Sequence, residues 1–311
     1  MSPSLRHRLI NIAQSALLVG GMGVIAWGIV STIAGPELTL AIVLGSVFGL
    51  VLMSSLPKQV LLSAYGAKRL GADAFPEGVA ILAELSRRAS LPKVPELFYV
   101  PSRLPNAFTI GVPNESVVCI SDGLLRLLDR RELAGVLAHE VAHIANRDLW
   151  IMGLADAMSR AVSVASWMGL FLLIMNLPLI LAGAAHVPWH IVILLIFSPT
   201  VMALLQLALS RTREFAADRT AAELTGDPSG LASALMKLER RTGRAWEEMF
   251  LPGRKIPEPS LLRTHPPTEE RVRRLRELGD PGPPSRHHGS LRVPDVPLPG
   301  QPRFRRYGVY R

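Results

Sequence analysis

The sequence predicts an α-helical membrane protein with four transmembrane helices in two hairpins, joined to an α+β domain containing a small antiparallel sheet. Three observations predict it. The chain has 311 residues, 49% of them hydrophobic and only 19% charged, a balance that points to membrane segments. Four runs lack Asp, Glu, Lys and Arg: residues 9–36, 38–57, 161–185 and 187–210. Each is long enough to cross a bilayer at about 1.5 Å per residue. From about residue 72 the pattern turns soluble, with helical periodicity and short runs rich in Val, Ile, Phe and Tyr.

The formal charge is +9. The basic residues lie beside the apolar runs or in the C-terminal tail, without interleaved aromatics. That pattern suits anionic lipid head groups and speaks against nucleic acid. The single Cys119 cannot form an intrachain disulfide, which fits a reducing compartment.

The first two apolar runs are linked only by Pro36 and Glu37 and form a hairpin. A signal peptide is a poorer reading, because the run is long and a second span follows at once. Arg6, His7 and Arg8 precede the hairpin, and Lys58, Lys68 and Arg69 follow it. The positive-inside rule therefore places both of its ends in the cytoplasm. Residues 76–89 read as an amphipathic helix with Val79, Leu82 and Leu85 on one face, ended by Pro92 and Pro95. Residues 96–100, 106–110 and 116–121 read as strands of an antiparallel sheet, and Asp122-Gly123 turns the chain into helix. The third and fourth apolar runs make the second hairpin, with Arg160, Arg211 and Arg213 at its feet and Pro178 and Pro199 as expected kinks. His186 and His190 belong to its turn rather than to a metal site. A helix containing Glu214 follows to Gly226, then one opening at Asp227-Pro228, then a charged helix from Thr268 to Leu278. The Pro- and Arg-rich tail has no core-forming period and reads as disordered. The expected organisation is a membrane hairpin over 1–71, a cytoplasmic part over 72–160, a second hairpin over 161–210, a second cytoplasmic part over 211–279, and the tail over 280–311.

The chemistry lies in the run Leu137-Ala138-His139-Glu140-Val141-Ala142-His143. Residues four apart share a helix face, so His139 and His143 aim two ring nitrogens at one point, with Glu140 beside it. Two imidazoles and a carboxylate suit a catalytic zinc ion, with the carboxylate as general base toward water. Asp129 as N-cap and Glu132 three residues later give this helix a capping-box start, and the helix is expected to run to Asn146-Arg147-Asp148 and beyond. Catalytic zinc takes three protein ligands. A metzincin would carry Gly and His where this chain has Asn146 and Leu149. Another common arrangement, gluzincin-like, takes a glutamate from a second helix. Glu214 in Glu214-Phe215-Ala216-Ala217-Asp218 is the best candidate, and Asp218 one turn on can accept the second ring N–H of a ligand histidine.

HEVAHIANRD, the later REFAADR, a THPPTEER run and the two hairpins resemble the HtpX family of membrane zinc endopeptidases, relatives of the type I CAAX prenyl protease. The resemblance covers roughly residues 1–278. It implies one zinc ion on His139, His143 and Glu214, with Glu140 as general base. Asn106, Asp218 and His265 also find counterparts in the family's motifs. His265, ahead of a proline, is the expected stabiliser of the oxyanion, and Arg271 is expected to pair with an acidic residue. One departure is Arg147, where the family pattern usually has Gly after Asn. Asn106, Ala107 and Phe108 could form an edge strand that binds extended substrate through its backbone. The resemblance further implies a bacterial cytoplasmic (inner) membrane location, an active site at the cytoplasmic face, and a stress-response role. The expected substrates are damaged or misassembled membrane proteins. A processing protease for one defined substrate, such as a prenylated C-terminus, and an inactive metal-binding scaffold are the competing readings. Four spans rather than seven weigh against the first, and an intact HExxH with a third ligand weighs against the second.

Overall fold

The computed structural model describes residues 12–31, 58–111, 114–184, 189–249, 267–279, 304–305 and 308–309. The second predicted span, the Pro36–Glu37 link, His186 and His265 lie outside them. The chain divides into two compact units, residues 1–56 with 150–213 and residues 57–149 with 214–311.

In the first unit, α1 (Ile12–Ser31), most of α6 (Asp148–Met175), the short α7 (Leu177–Leu181) and the first part of α8 (Trp189–Thr225) are helical. Helices α1, α6 and α8 are long and apolar enough to cross a membrane, three among the described residues. They meet through Met22, Ile29, Ala155, Val162, Leu195, Met202 and Leu209, while Leu17, Val24, Trp167 and Phe171 face outward. An apolar exterior of this kind is what lipid requires. Hydrogen bonds from Ser159 to Gln206 (2.8 Å) and between Ser166 and Ser198 (3.2 Å) tie α6 to α8, as polar side chains do between membrane helices. Helix α6 begins at Asp148, ahead of the charge-free run 161–185. With 37 residues, α8 is about 55 Å long against a hydrocarbon core of about 30 Å. It therefore continues past its apolar stretch to carry Glu214 and Asp218. Pro199 lies inside it, and Pro178 in the first turn of α7. His190 is an exposed residue at the start of α8.

The second unit begins with α2 (Lys58–Ala64) and β1 (Lys68–Arg69). Then come α3 (Pro76–Arg88), β2 (Glu96–Val100), β3 (Ala107–Ile110), β4 (Val117–Ser121), α4 (Asp122–Leu127) and α5 (Arg130–Ala145). After the helices of the first unit follow α9 (Pro228–Met249) and α10 (Thr268–Gly279). The sheet order is β1-β2-β4-β3. It is mixed rather than antiparallel: β4 pairs parallel with β2 and antiparallel with β3. The reason is that β3 lies outside β4, so the chain returns to pair β4 beside β2 in the same direction. The continuous apolar run Val117-Val118-Cys119-Ile120 fits this central place, buried on both faces. One face of the sheet meets α3, α5, α9 and α10 in the main core; the other packs Leu62, Val100, Phe108, Val117 and Cys119 with Tyr65. Within the tail expected to be disordered, Phe304–Arg305 and Gly308–Val309 pair as a two-residue ladder.

Helix α5 is the centre of the unit. The Asp129 side chain accepts from Glu132 N, and the Glu132 carboxylate accepts from Asp129 N, closing the expected capping box. Glu132 also receives Ser233 and Lys237 of α9, each at 2.6 Å. Gly135 lets α9 approach: a Cβ there would lie 2.9 Å from the Leu231 backbone. Glycine in a helix costs about 1 kcal/mol relative to alanine, and here the close contact requires it.

Candidate active site

The buried middle of α5 presents His139 and Glu140 and, one turn later, the half-buried His143. Their two Nε2 atoms lie 3.0 Å apart. Glu214 of α8 completes the group, with Oε2 3.4 Å from His139 Nε2 and Oε1 3.6 Å from His143 Nε2. One donor atom from each of the three residues lies within 4.8 Å of the others, so together they could hold a metal ion.

Each imidazole is backed by a carboxylate. His143 Nδ1 lies 2.7 Å from Asp148 Oδ2. His139 Nδ1 lies 3.1 Å from Asp218 Oδ1, close in distance but poorly aligned as a hydrogen bond. A carboxylate at Nδ1 keeps the proton there and turns the Nε2 lone pair toward the shared point. Two such lone pairs stay 3.0 Å apart only with a shared proton or a cation between them. Burial works against charging His139, but Asp218 and Glu214 outweigh it and raise its pKa to about 10. The two carboxylates beside His139 thus favour positive charge at this point. Charge balance agrees. Glu140, Asp148, Glu214 and Asp218 are all buried, and among the described residues Arg271 is the buried guanidinium that pairs with Glu214 and Asp218. A divalent ion would offset further negative charge in this cluster. The donor set, nitrogen and oxygen without thiolate, suits zinc.

Arg271 of α10 is the clamp behind the site. Its Nε and Nη2 meet both oxygens of Asp218 at 2.7 and 2.6 Å, and its Nη1 lies 3.2 Å from Glu214 Oε2. The expectation that it pairs with acidic residues holds. Burial tends to raise the Asp218 pKa, yet Arg271 outweighs it and holds the carboxyl below its usual range. The predicted substrate residues stand at the sheet edge. β3 carries Ala107 and Phe108, has a sheet partner on one side only among the described residues, and packs against α5. Asn106 precedes it, its N–H donating to the Ser121 hydroxyl at 2.8 Å. His265 lies outside the described residues.

Sequence reasoning missed two contacts. The first is Asp148. On a helix continuing past His143, a residue five positions on would point about 140° away. The chain does not continue that way: α5 ends at Ala145, and Arg147 adopts a left-handed φ of 55°. That turn returns Asp148 to His143, and it is a conformation that glycine would adopt freely. The second is Thr109, whose hydroxyl donates to Glu140 Oε2 at 2.8 Å. Its signal in the sequence was a hydroxyl among aliphatic residues on a short strand.

Comparison with known proteins agrees with this geometry. Residues 76–279 match peptidase family M48. A protease HtpX homolog from Pyrococcus abyssi is 37% identical over 237 residues, covering 70% of this chain and 79% of that protein. One from Desulfatibacillum aliphaticivorans is 40% identical over 237 residues, covering 70% and 73%. One from Thermococcus kodakarensis is 34% identical over 284 residues, covering 88% and 97%. Among solved structures, that of S. mikatae Ste24p is similar in fold, with a TM-score of 0.50 and 18% identity over 87% of this chain and 66% of that one. Two histidines four residues apart on one helix, a glutamate on a second helix and these matches have one explanation: the chain belongs to peptidase family M48 and is a metalloprotease.

Proposed function

We propose that this protein is a zinc endopeptidase of the cytoplasmic membrane that cleaves damaged or misassembled membrane proteins at the cytoplasmic face. The observation that carries the reading is the meeting of His139 Nε2, His143 Nε2 and the Glu214 carboxylate at one point, with Asp218 and Asp148 behind the imidazoles. These three residues hold the ion. Bound there, zinc would acidify a water molecule toward neutral pH and polarise the scissile carbonyl. Glu140 takes the proton from the attacking water and returns it to the leaving amine. The open edge of β3 binds extended substrate by backbone hydrogen bonds, which demand little of its sequence. That tolerance suits an enzyme that removes many different proteins. His265 donates to the developing oxyanion, a role that rests on the family resemblance and on Arg271 being committed to Asp218 and Glu214. The membrane setting is supported by the three long apolar helices and by the basic residues flanking the apolar runs.

The test is metal content and casein cleavage in detergent-purified protein, with and without Glu214→Ala. About one zinc per chain in the parent, and a large loss of both zinc and cleavage in the variant, is the expected result. A variant that keeps its zinc and its activity would make Glu214 an ordinary helix residue.

A further inference from the structure

We propose that Thr109 is the positioning residue of Glu140. It fixes one oxygen of the general base and ties that base to the strand that receives the substrate. The inference rests on the roles of Glu140 and β3 proposed above, and it begins with an anomaly of the sheet. Along β3, Phe108 and Ile110 point to the Leu62 and Cys119 side, while Ala107 and Thr109 point to the helix side. Across the ladder, Ala107 faces Ile120 and Thr109 faces Val118, both fully buried in the main core. The position is thus one for an aliphatic β-branched residue, and valine would fill it. Threonine has nearly the same shape but brings a hydroxyl, which costs about 1–3 kcal/mol to bury without a partner.

Its partner is the base itself. Thr109 is 8% exposed, Glu140 is 8% exposed, and the hydroxyl donates to Oε2 at 2.8 Å. A glutamate side chain has three rotatable bonds, and a general base works only from one narrow range of positions. Engaging Oε2 with Thr109 removes most of that freedom and reserves Oε1 for the proton of the attacking water. The donor is also well anchored. Its backbone belongs to β3, which is paired along its length with the buried central strand β4. The same strand therefore sets both the height of the base and the line of the bound peptide. A shift of one would move the other with it, so base and scissile bond stay in register.

The experiment compares the full-length protein in detergent with Thr109→Val, Thr109→Ser, Glu140→Gln and the double variant Thr109→Val/Glu140→Gln. The readouts are kcat and KM on a fluorogenic peptide, zinc per chain and the thermal midpoint. Thr109→Val is expected to lose about ten- to a hundredfold in kcat, as partners of catalytic groups do. KM should stay within about twofold of the parent, with zinc and midpoint unchanged, because the side-chain shape is kept. Thr109→Ser restores the donor and should recover most of kcat. Adding Thr109→Val to Glu140→Gln should cost nothing further, since the two act as one unit. Full kcat in Thr109→Val overturns the proposal, leaving the role of Glu140 intact. So does a loss shared by the valine and serine variants together with zinc or midpoint, which would make Thr109 a packing residue. Parental cleavage by Glu140→Gln would overturn the base and this inference together.

Discussion

His139 and His143 lie on one turn of one helix, yet they are held in different ways. His139 is backed by Asp218 on α8, and Asp218 is gripped at both oxygens by Arg271 of α10. Three helices thus converge on one imidazole. His143 is backed by Asp148, brought into place by a left-handed turn at Arg147, four residues after His143. The first support is long-range and electrostatic. The second is local and conformational. A metal site made of neighbours in sequence therefore depends on two separate kinds of structure, and each kind can be broken without the other.

The larger effect belongs to the long-range side. Arg271→Met keeps most of the side-chain volume but leaves the buried carboxylates of Asp218 and Glu214 facing each other without their cation. Breaking a buried ion pair by removing one partner costs about 3–5 kcal/mol. For a unit of this size that lowers the thermal midpoint by about 10 °C, measured on metal-stripped protein by intrinsic fluorescence. Zinc restores part of the loss, because it supplies positive charge to Glu214. A drop of under about 3 °C would show that solvent already screens the two carboxylates, and the contrast drawn here would lose its electrostatic half.

The local side predicts the reverse pattern. Asp148→Asn removes the charge behind His143 and keeps the shape. Zinc affinity should fall about tenfold or more, while the midpoint of the metal-stripped protein stays near the parent's. Asp218→Asn should lose both affinity and stability, since it also takes the partner from Arg271. Competition with a chromophoric chelator measures the affinities. If the two asparagine variants lose stability equally, the supports are not distinct.

The same division explains what could be read from the sequence. Helical spacing made His139 and His143 legible, and an i, i+4 relation made Asp218 legible as a partner of the site once Glu214 was placed. The capping box at Asp129 and Glu132 was legible because its signal is local. The sheet was misread as antiparallel, since strand propensity marks β2, β3 and β4 but does not say that β4 enters between the other two. Asp148 was not legible: a continuous helix was the default, and only a left-handed residue at 147 redirects it. Thr109 was legible as a strand residue and no more, because its meeting with Glu140 depends on how β3 packs against α5. Contacts within about one helical turn could be derived from spacing, and Glu214 came from the donor set that zinc needs together with the family resemblance; Asp148 and Thr109, placed by a break and by packing, could not be read.

The smallest expected effect tests the break itself. A left-handed φ costs an ordinary L-residue about 1–2 kcal/mol, and Arg147 is exposed at φ 55°. Glycine adopts that conformation freely but loses about 0.5–1 kcal/mol to the entropy of the unfolded chain. Arg147→Gly should therefore stabilise the protein by about 0.5–1 kcal/mol, a rise in midpoint of about 2 °C. Zinc affinity should not change, because the backbone path to Asp148 is the same. Arg147→Val is the sharper counterpart. A β-branched residue resists positive φ, so the turn should shift, Asp148 should leave His143, and zinc affinity should fall toward that of Asp148→Asn. If valine left the affinity intact, the position of Asp148 would be fixed by the packing of α6 rather than by the turn, and the support of His143 would no longer be local.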